Sequence, residues 1–383
     1  MGEHHRCAGA PRHAGVAGLL AATALLLAGC AQQGSVSKPA GLGPTQARQL
    51  VGRLLPAHVP DRPGWATDIH AALSALAIPS TPENLCAVMA VTEQESGYRA
   101  DPVVPGLGDI ARKEIDRRAD EAGVPQLAVR AALAMSSPDG RSYAERIQTV
   151  KTERELSELF EHFIDEVPLG RTFFARRNPV RTGGPMQVSI AFAEAHAERR
   201  PYPYALRGSV RHEVFTRRGG LYFGAAHLLG YDAAYEQPLY RFADFNAGQY
   251  ASRNAGFQNA LAVASGLPVT LDGDLLPRAA NAPRGETQRA ADSLAGRLGL
   301  SEAAIRRDLE RGDEPGFEQT ALYERVFAYA ERLDRRTLPR AVVPRIDLQS
   351  PKFTRKLTTE WFARRVDERY RRCLARVPAL LDD

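Results

Sequence analysis

The 383-residue chain carries only four cysteines and no CxxC pair of the kind that holds a structural zinc. HExxH, GxSxG and Walker-loop patterns are also absent, so zinc-protease, α/β-hydrolase and P-loop chemistry have no sequence basis here. "GLGDIA" at Gly106 loosely matches a dinucleotide loop but follows no convincing strand. The nine histidines are scattered without metal-ligand spacing, and neither metal nor cofactor is expected. Internal repeats, heptads and alternating strand series are missing. The composition does not match disordered, collagen-like or multi-span membrane chains. A net charge of +5 favours anionic surfaces without requiring nucleic acid as a partner.

One apolar run is present, "VAGLLAATALLLAG" from Val16 to Gly29, behind a positive segment with Arg6 and Arg12. It has the length of a signal-peptide core and is short for a membrane span. Its end, Leu27-Ala28-Gly29-Cys30, resembles a bacterial lipobox, which implies cleavage before Cys30 and lipid on that residue. Ala31, where an aspartate retains such proteins at the inner membrane, implies the periplasmic face of the outer membrane. Several acyl chains, at about 0.8 kcal/mol per buried methylene, make a stable anchor. Cys86 and Cys373 then remain in an oxidising compartment, either as a disulfide or as two buried thiols.

The remainder of the chain is helical in pattern. Residues 30–44 are polar, with Gly and Pro, and read as a tether. Helices are predicted from Thr45, over Pro63–Leu76, and after "STPE", where Ser80 and Glu83 suggest a capping box. Further helices are predicted within 107–170, broken by "SSPDG", and over Val188–Arg199, Gly220–Leu229 and Tyr250–Ser265. Gly170–Pro185 reads as a loop. A Pro/Gly/Asn-rich loop at 266–285 marks a boundary before an Arg-rich helical end. The fold class is mainly α.

"VTEQESGYRADP", Val91–Pro102, places two glutamates on one of these helices. Leu85, Val88, Thr92 and Glu95 share a face, whereas Glu93 points about 200° away. Ser96-Gly97 ends the helix. A carboxyl at the lip of an apolar face is desolvated, which raises its pKa as a general acid requires. A salt bridge to an arginine is the alternative use of such a side chain.

Three segments occur in order: "VTEQESGYRADP", "GGPMQVS" (Gly183–Ser189) and "RFADFNAGQY" (Arg241–Tyr250), the last preceded by "GAAHL" from Gly224. Together they resemble the soluble lytic transglycosylases of the goose-lysozyme-like superfamily. The resemblance implies a lysozyme-like domain over 45–265 with a helical insertion at about 103–180, between the 1–29 signal peptide with its 30–44 tether and a 266–383 helical extension. It implies cleavage of the β-1,4 bond between N-acetylmuramic acid and N-acetylglucosamine in peptidoglycan glycan strands, with Glu95 as single acid/base and 1,6-anhydromuramoyl ends as product. Substrate assistance makes a second carboxylate unnecessary. Gly183 and Gly184 would let the backbone approach the sugar, Met186 would fill space against the acid, and Gln187 would hydrogen-bond sugar or Glu95. Ser96 would donate to the carboxylate. Asn246, beside Gly248, would bind an acetamido group or hold the loop.

Two positions depart from the pattern. Phe245 stands where the family has a tyrosine whose hydroxyl reaches the acid, leaving Tyr98, Tyr240 or Tyr250 as substitute donors. Glu95 and Gly183 are 88 positions apart, room for a subdomain that roofs the cleft or docks a cell-envelope protein. Arg171, Arg176, Arg177 and Arg181 at its end are placed to meet substrate carboxylates or only solvent. The C-terminal Arg364, Arg365, Arg369, Arg371 and Arg372 read as a solvated face balanced by Asp367 and Glu368. Phe245 keeps open a non-catalytic murein-binding scaffold; a muramidase using water is the third alternative.

Overall fold

A computed structural model describes residues 41–167, 172, 177–277, 279, 282–348 and 356–377. The signal peptide, Cys30, most of the tether, Arg171 and Arg176 lie outside the described residues. The elements run α1 (Pro44–Leu54), α2 (Arg62–Ala75), α3 (Pro82–Ser96), α4 (Leu107–Glu121), α5 (Gln126–Leu133), α6 (Tyr143–Thr149) and α7 (Glu153–Glu166). A short hairpin, β1 (Thr182–Gly183) and β2 (Val188–Ser189), precedes α8 (Ile190–Arg199), α9 (Val210–Val214), α10 (Arg217–Leu229), α11 (Pro238–Ala247) and α12 (Ala251–Ser265). Then come α13 (Glu286–Ser293), α14 (Ala295–Leu298), α15 (Glu302–Leu309) and α16 (Ala321–Asp334), a second hairpin of β3 (Asp347–Leu348) and β4 (Leu357–Thr358), and α17 (Thr359–Arg376). The described chain is mainly α. Both hairpins are antiparallel, pairing Thr182 with Ser189 and Asp347 with Thr358.

Three apolar cores divide these elements. The main core joins α1–α3, the first hairpin, α8–α11 and, from far along the chain, Phe362, Ala363, Val366 and Tyr370 of α17. A second core spans Phe257 of α12 to Leu338, and a third lies within Ala111–Leu159. The stretch after residue 265 is thus not one body: α13–α16 build the second core, whereas α17 packs on α3 and α11.

The centre of the main core is α3. Thr81 caps it by accepting from Asn84 N, and Pro82 opens the first turn, where a missing N–H costs nothing. Ser80, the cap expected from the sequence, instead pairs with His70 Nδ1 at 3.0 Å. The helix is buried on every side, with Ala87, Met89 and Ala90 as enclosed as Leu85 and Val88. Only Glu93, Gln94 and Glu95 in its last turns are half-exposed. Gly97 terminates it in the left-handed region at φ 57°. Cys86 on α3 and Cys373 on α17 form a disulfide. Among the described residues no helix is long and apolar enough to cross a membrane.

Candidate functional site

A cleft of about 2410 Å³ opens between the Ala111–Leu159 subdomain and the main core. That is more than twice the roughly 300–1,000 Å³ of a typical small-molecule pocket, and suits an extended ligand. One wall is apolar, with Leu107, Ile110, Leu133, Phe160 and Phe163. The lining also collects the three sequence segments: Glu95 and Ser96, then Gln187, Val188 and Ser189, then Phe245, Asn246 and Gly248. Leu348 and Phe362 bring the C-terminal segment to the same cleft.

Two of the three glutamates of α3, Glu93 and Glu95, line the cleft. Glu93 faces Arg369 at 3.4 Å and Arg372 at 3.8 Å across the α17 interface. Glu95 is half-buried on the cleft wall. Beside it, Ser96 is buried and donates to Thr92 O at 3.0 Å while accepting from Arg99 N at 3.2 Å. Its proton is spent on the helix, which corrects its expected role as donor to the carboxylate.

The hairpin turn also differs from expectation. A Cβ on Gly184, at φ 73°, would lie 2.0 Å from Val214 O, and one on Gly183 would lie 2.3 Å from the Phe215 ring. These glycines make room for α9 and its C-cap rather than for a ligand, and neither lines the cleft. Met186 is fully buried beneath the turn against Gly224 and does not line the cleft. Gln187 does line the cleft, but its amide closes the hairpin: Oε1 accepts from Thr182 Oγ1 at 3.3 Å and Nε2 donates to Gly184 O at 3.2 Å.

In the third segment Asp244 is the organising residue. Its buried carboxylate accepts from the hydroxyls of Tyr231 (2.9 Å) and Tyr235 (2.6 Å) and from the backbone N–H groups of Tyr250 and Ser252. Four donors hold the turn that presents Phe245, Asn246 and Gly248. Gly248 ends α11 at φ 119°, open to space. Tyr98 donates to Met89 O in the core, Tyr250 sits under Arg253 at 4.2 Å, and neither they nor Tyr240 line the cleft. None of the three replaces the hydroxyl missing from Phe245. Arg177 and Arg181 do line the cleft, both exposed.

His227, on α10, lies in the cleft wall against Phe192 (ring centroids 4.5 Å) and Phe245 (5.1 Å). Its Nε2 is 3.2 Å from Phe245 O, which fixes the proton on Nε2. Nδ1 is a buried acceptor with no hydrogen-bond partner. Desolvation pushes the imidazole down to about 4, so the ring is neutral at neutral pH. Gln94 Oε1, also from a cleft residue, is a second such acceptor. Both atoms are closed off from solvent, where an unmet polar atom costs about 1–3 kcal/mol. Asp244 and His227 were missed in the sequence. The one signal was a histidine inside the otherwise apolar "FGAAHLLG" run. No group of three or more potential ligands able to hold a metal occurs among the described residues.

The family model described as "Protein of unknown function (DUF1615)" matches residues 58–376. The chain is similar to "Uncharacterized protein YaiW" of Escherichia coli (strain K12), 52% identical over 350 residues, 91% of this chain and 95% of that protein. No solved structure gives a significant match.

Proposed function

For a chain that belongs to the DUF1615 family, we propose that the cleft is a peptidoglycan glycan-strand site with a lysozyme-like plan, and that Glu95 cleaves the strand there as a lytic transglycosylase. The observation that carries this reading is convergence. Three segments far apart in the chain, which resemble the transglycosylase motifs in order, contribute to the lining of one cleft of oligosaccharide size. In the proposed reaction Glu95 gives its proton to the glycosidic oxygen as the C1–O bond breaks. The substrate's N-acetyl oxygen supports the positive C1. The ionised Glu95 then takes the proton of the C6 hydroxyl as that oxygen bonds to C1, closing a 1,6-anhydro ring. With water in place of the C6 hydroxyl the same acid makes a muramidase.

The proposal includes a lipid anchor at Cys30 and a periplasmic location at the outer membrane. The Cys86–Cys373 bond supports an oxidising compartment. A second reading, a glycan-binding scaffold without turnover, is favoured by one observation: Phe245 offers no hydroxyl, and the tyrosine among the described lining residues, Tyr143, donates its own to Glu166 at 2.8 Å. Digestion of purified sacculi with mass analysis of products separates the readings. Anhydro ends are expected from the parent and none from Glu95→Gln. Reducing ends indicate the muramidase, and binding without soluble product indicates the scaffold. A Glu95→Gln protein that digests at the parental rate removes Glu95 as the acid.

A further inference from the structure

Asn246 lines the cleft and is exposed there, but its side-chain oxygen is already engaged. Thr359 Oγ1 donates to Asn246 Oδ1 at 2.8 Å from the first position of α17. Thr359 has no solvent exposure. Its own N–H donates to Ile346 O at 3.1 Å, beside the second hairpin, and its β-branched side chain has little χ1 freedom. The threonine is therefore a fixed donor, 113 positions along the chain from the amide it holds.

A primary amide has chemically opposite ends, one accepting and one donating. With Oδ1 held by Thr359, the NH2 of this cleft-lining residue is the end left to meet a ligand. We propose that Thr359 is a positioning residue of the cleft: it holds Asn246 as a donor, so that the site prefers the strong carbonyl acceptor of an acetamido sugar over the weaker hydroxyl acceptor of a plain glycan. This rests on the glycan reading given above. It adds to that reading a selectivity determinant located in the C-terminal helix, outside the three motifs. Freed from Thr359, the amide can rotate and serve donors and acceptors alike, and the discrimination falls away.

The test uses full-length protein carrying Glu95→Gln, with tetra-N-acetylchitotetraose and cellotetraose as probes. The parent is expected to favour the acetamido sugar. Thr359→Val keeps the shape and removes the hydroxyl. It should weaken chitotetraose binding by up to about tenfold, the effect of one lost hydrogen bond, and leave cellotetraose binding unchanged. Thr359→Ser should restore the preference. In the parent, the side-chain amide ¹H–¹⁵N signals of Asn246 should move when chitotetraose is added and stay put with cellotetraose. Unchanged preference in Thr359→Val, amide signals indifferent to the sugar, or no binding of chitotetraose overturns the assignment. If Thr359→Val does not fold, the parent's amide signals decide. Sacculi left intact by a protein that keeps the preference retire the cleavage reading and spare this one; cleavage without the preference does the reverse.

Discussion

His227 carries a measurable electrostatic signature. Its folded-state pKa, about 4, lies below the ordinary 6.5, because the desolvated ring resists protonation. The unfolded chain therefore takes up a proton at a pH where the folded chain does not. This contribution to stability is complete above pH 6.5 and is lost as pH falls toward 4, for a total of about 3 kcal/mol. In His227→Leu, the decline in urea-measured stability between pH 6.5 and 4.5 should be shallower than in the parent by about 2 kcal/mol. Equal slopes in the two proteins would show that the imidazole is not held neutral. At this scale the helix wheel put Glu95 at a cleft-lining position but did not separate it from Glu93, which was expected to point elsewhere and lines the same cleft. Gly183, Gly184 and Met186 were misassigned because what they touch, Val214, Phe215 and Gly224, comes from elements no local pattern could dock against them. Thr359 was invisible for the same reason, since its meaning resides in a partner over a hundred positions away.

At the scale of elements, α3 was legible as a helix, and its end at Gly97 follows from the glycine. Its burial on all sides was not legible. Alanines at 87 and 90 belong equally to an outer face or to a close helix contact, and only the packing of α17 decides between them. The arginines of α17 read in the sequence as a solvated face, and most do pair locally, as Arg364 with Glu360, Arg365 with Glu368 and Arg371 with Asp367. Arg369 and Arg372 instead reach Glu93. The exposed local pairs Arg364–Glu360 and Arg365–Glu368 contribute little, roughly 0–1 kcal/mol each. The covalent link has the larger effect. Cys86→Ala with Cys373→Ala should lower unfolding stability by about 2–5 kcal/mol, and reduction of the parent should match it. A difference under about 1 kcal/mol would mean that packing alone fixes α17 on the acid's helix.

Across the whole molecule, helix class and the approximate loop positions could be read from pattern, whereas the division into three cores could not. One buried side chain ties the cleft turn to the second core. Arg253, about 1% exposed, donates to the carbonyls of Gly312 and Glu314 and stacks over Tyr250 at 4.2 Å and Phe317 at 5.3 Å. Arg253→Met fills similar space but leaves those carbonyls unmet. A loss of about 3 kcal/mol is expected in urea unfolding, with proteolysis appearing first between residues 275 and 338. Parental resistance in that variant would show that the apolar contacts suffice. The return of α17 has a further consequence in time. A polypeptide is made from its amino end, so the carboxylate of α3 emerges long before the threonine, phenylalanine and cysteine that wall, orient and bolt its groove. A nascent chain thus holds Glu95 before its surroundings are complete, and the cleft is finished only when the final helix has arrived and been oxidised into place.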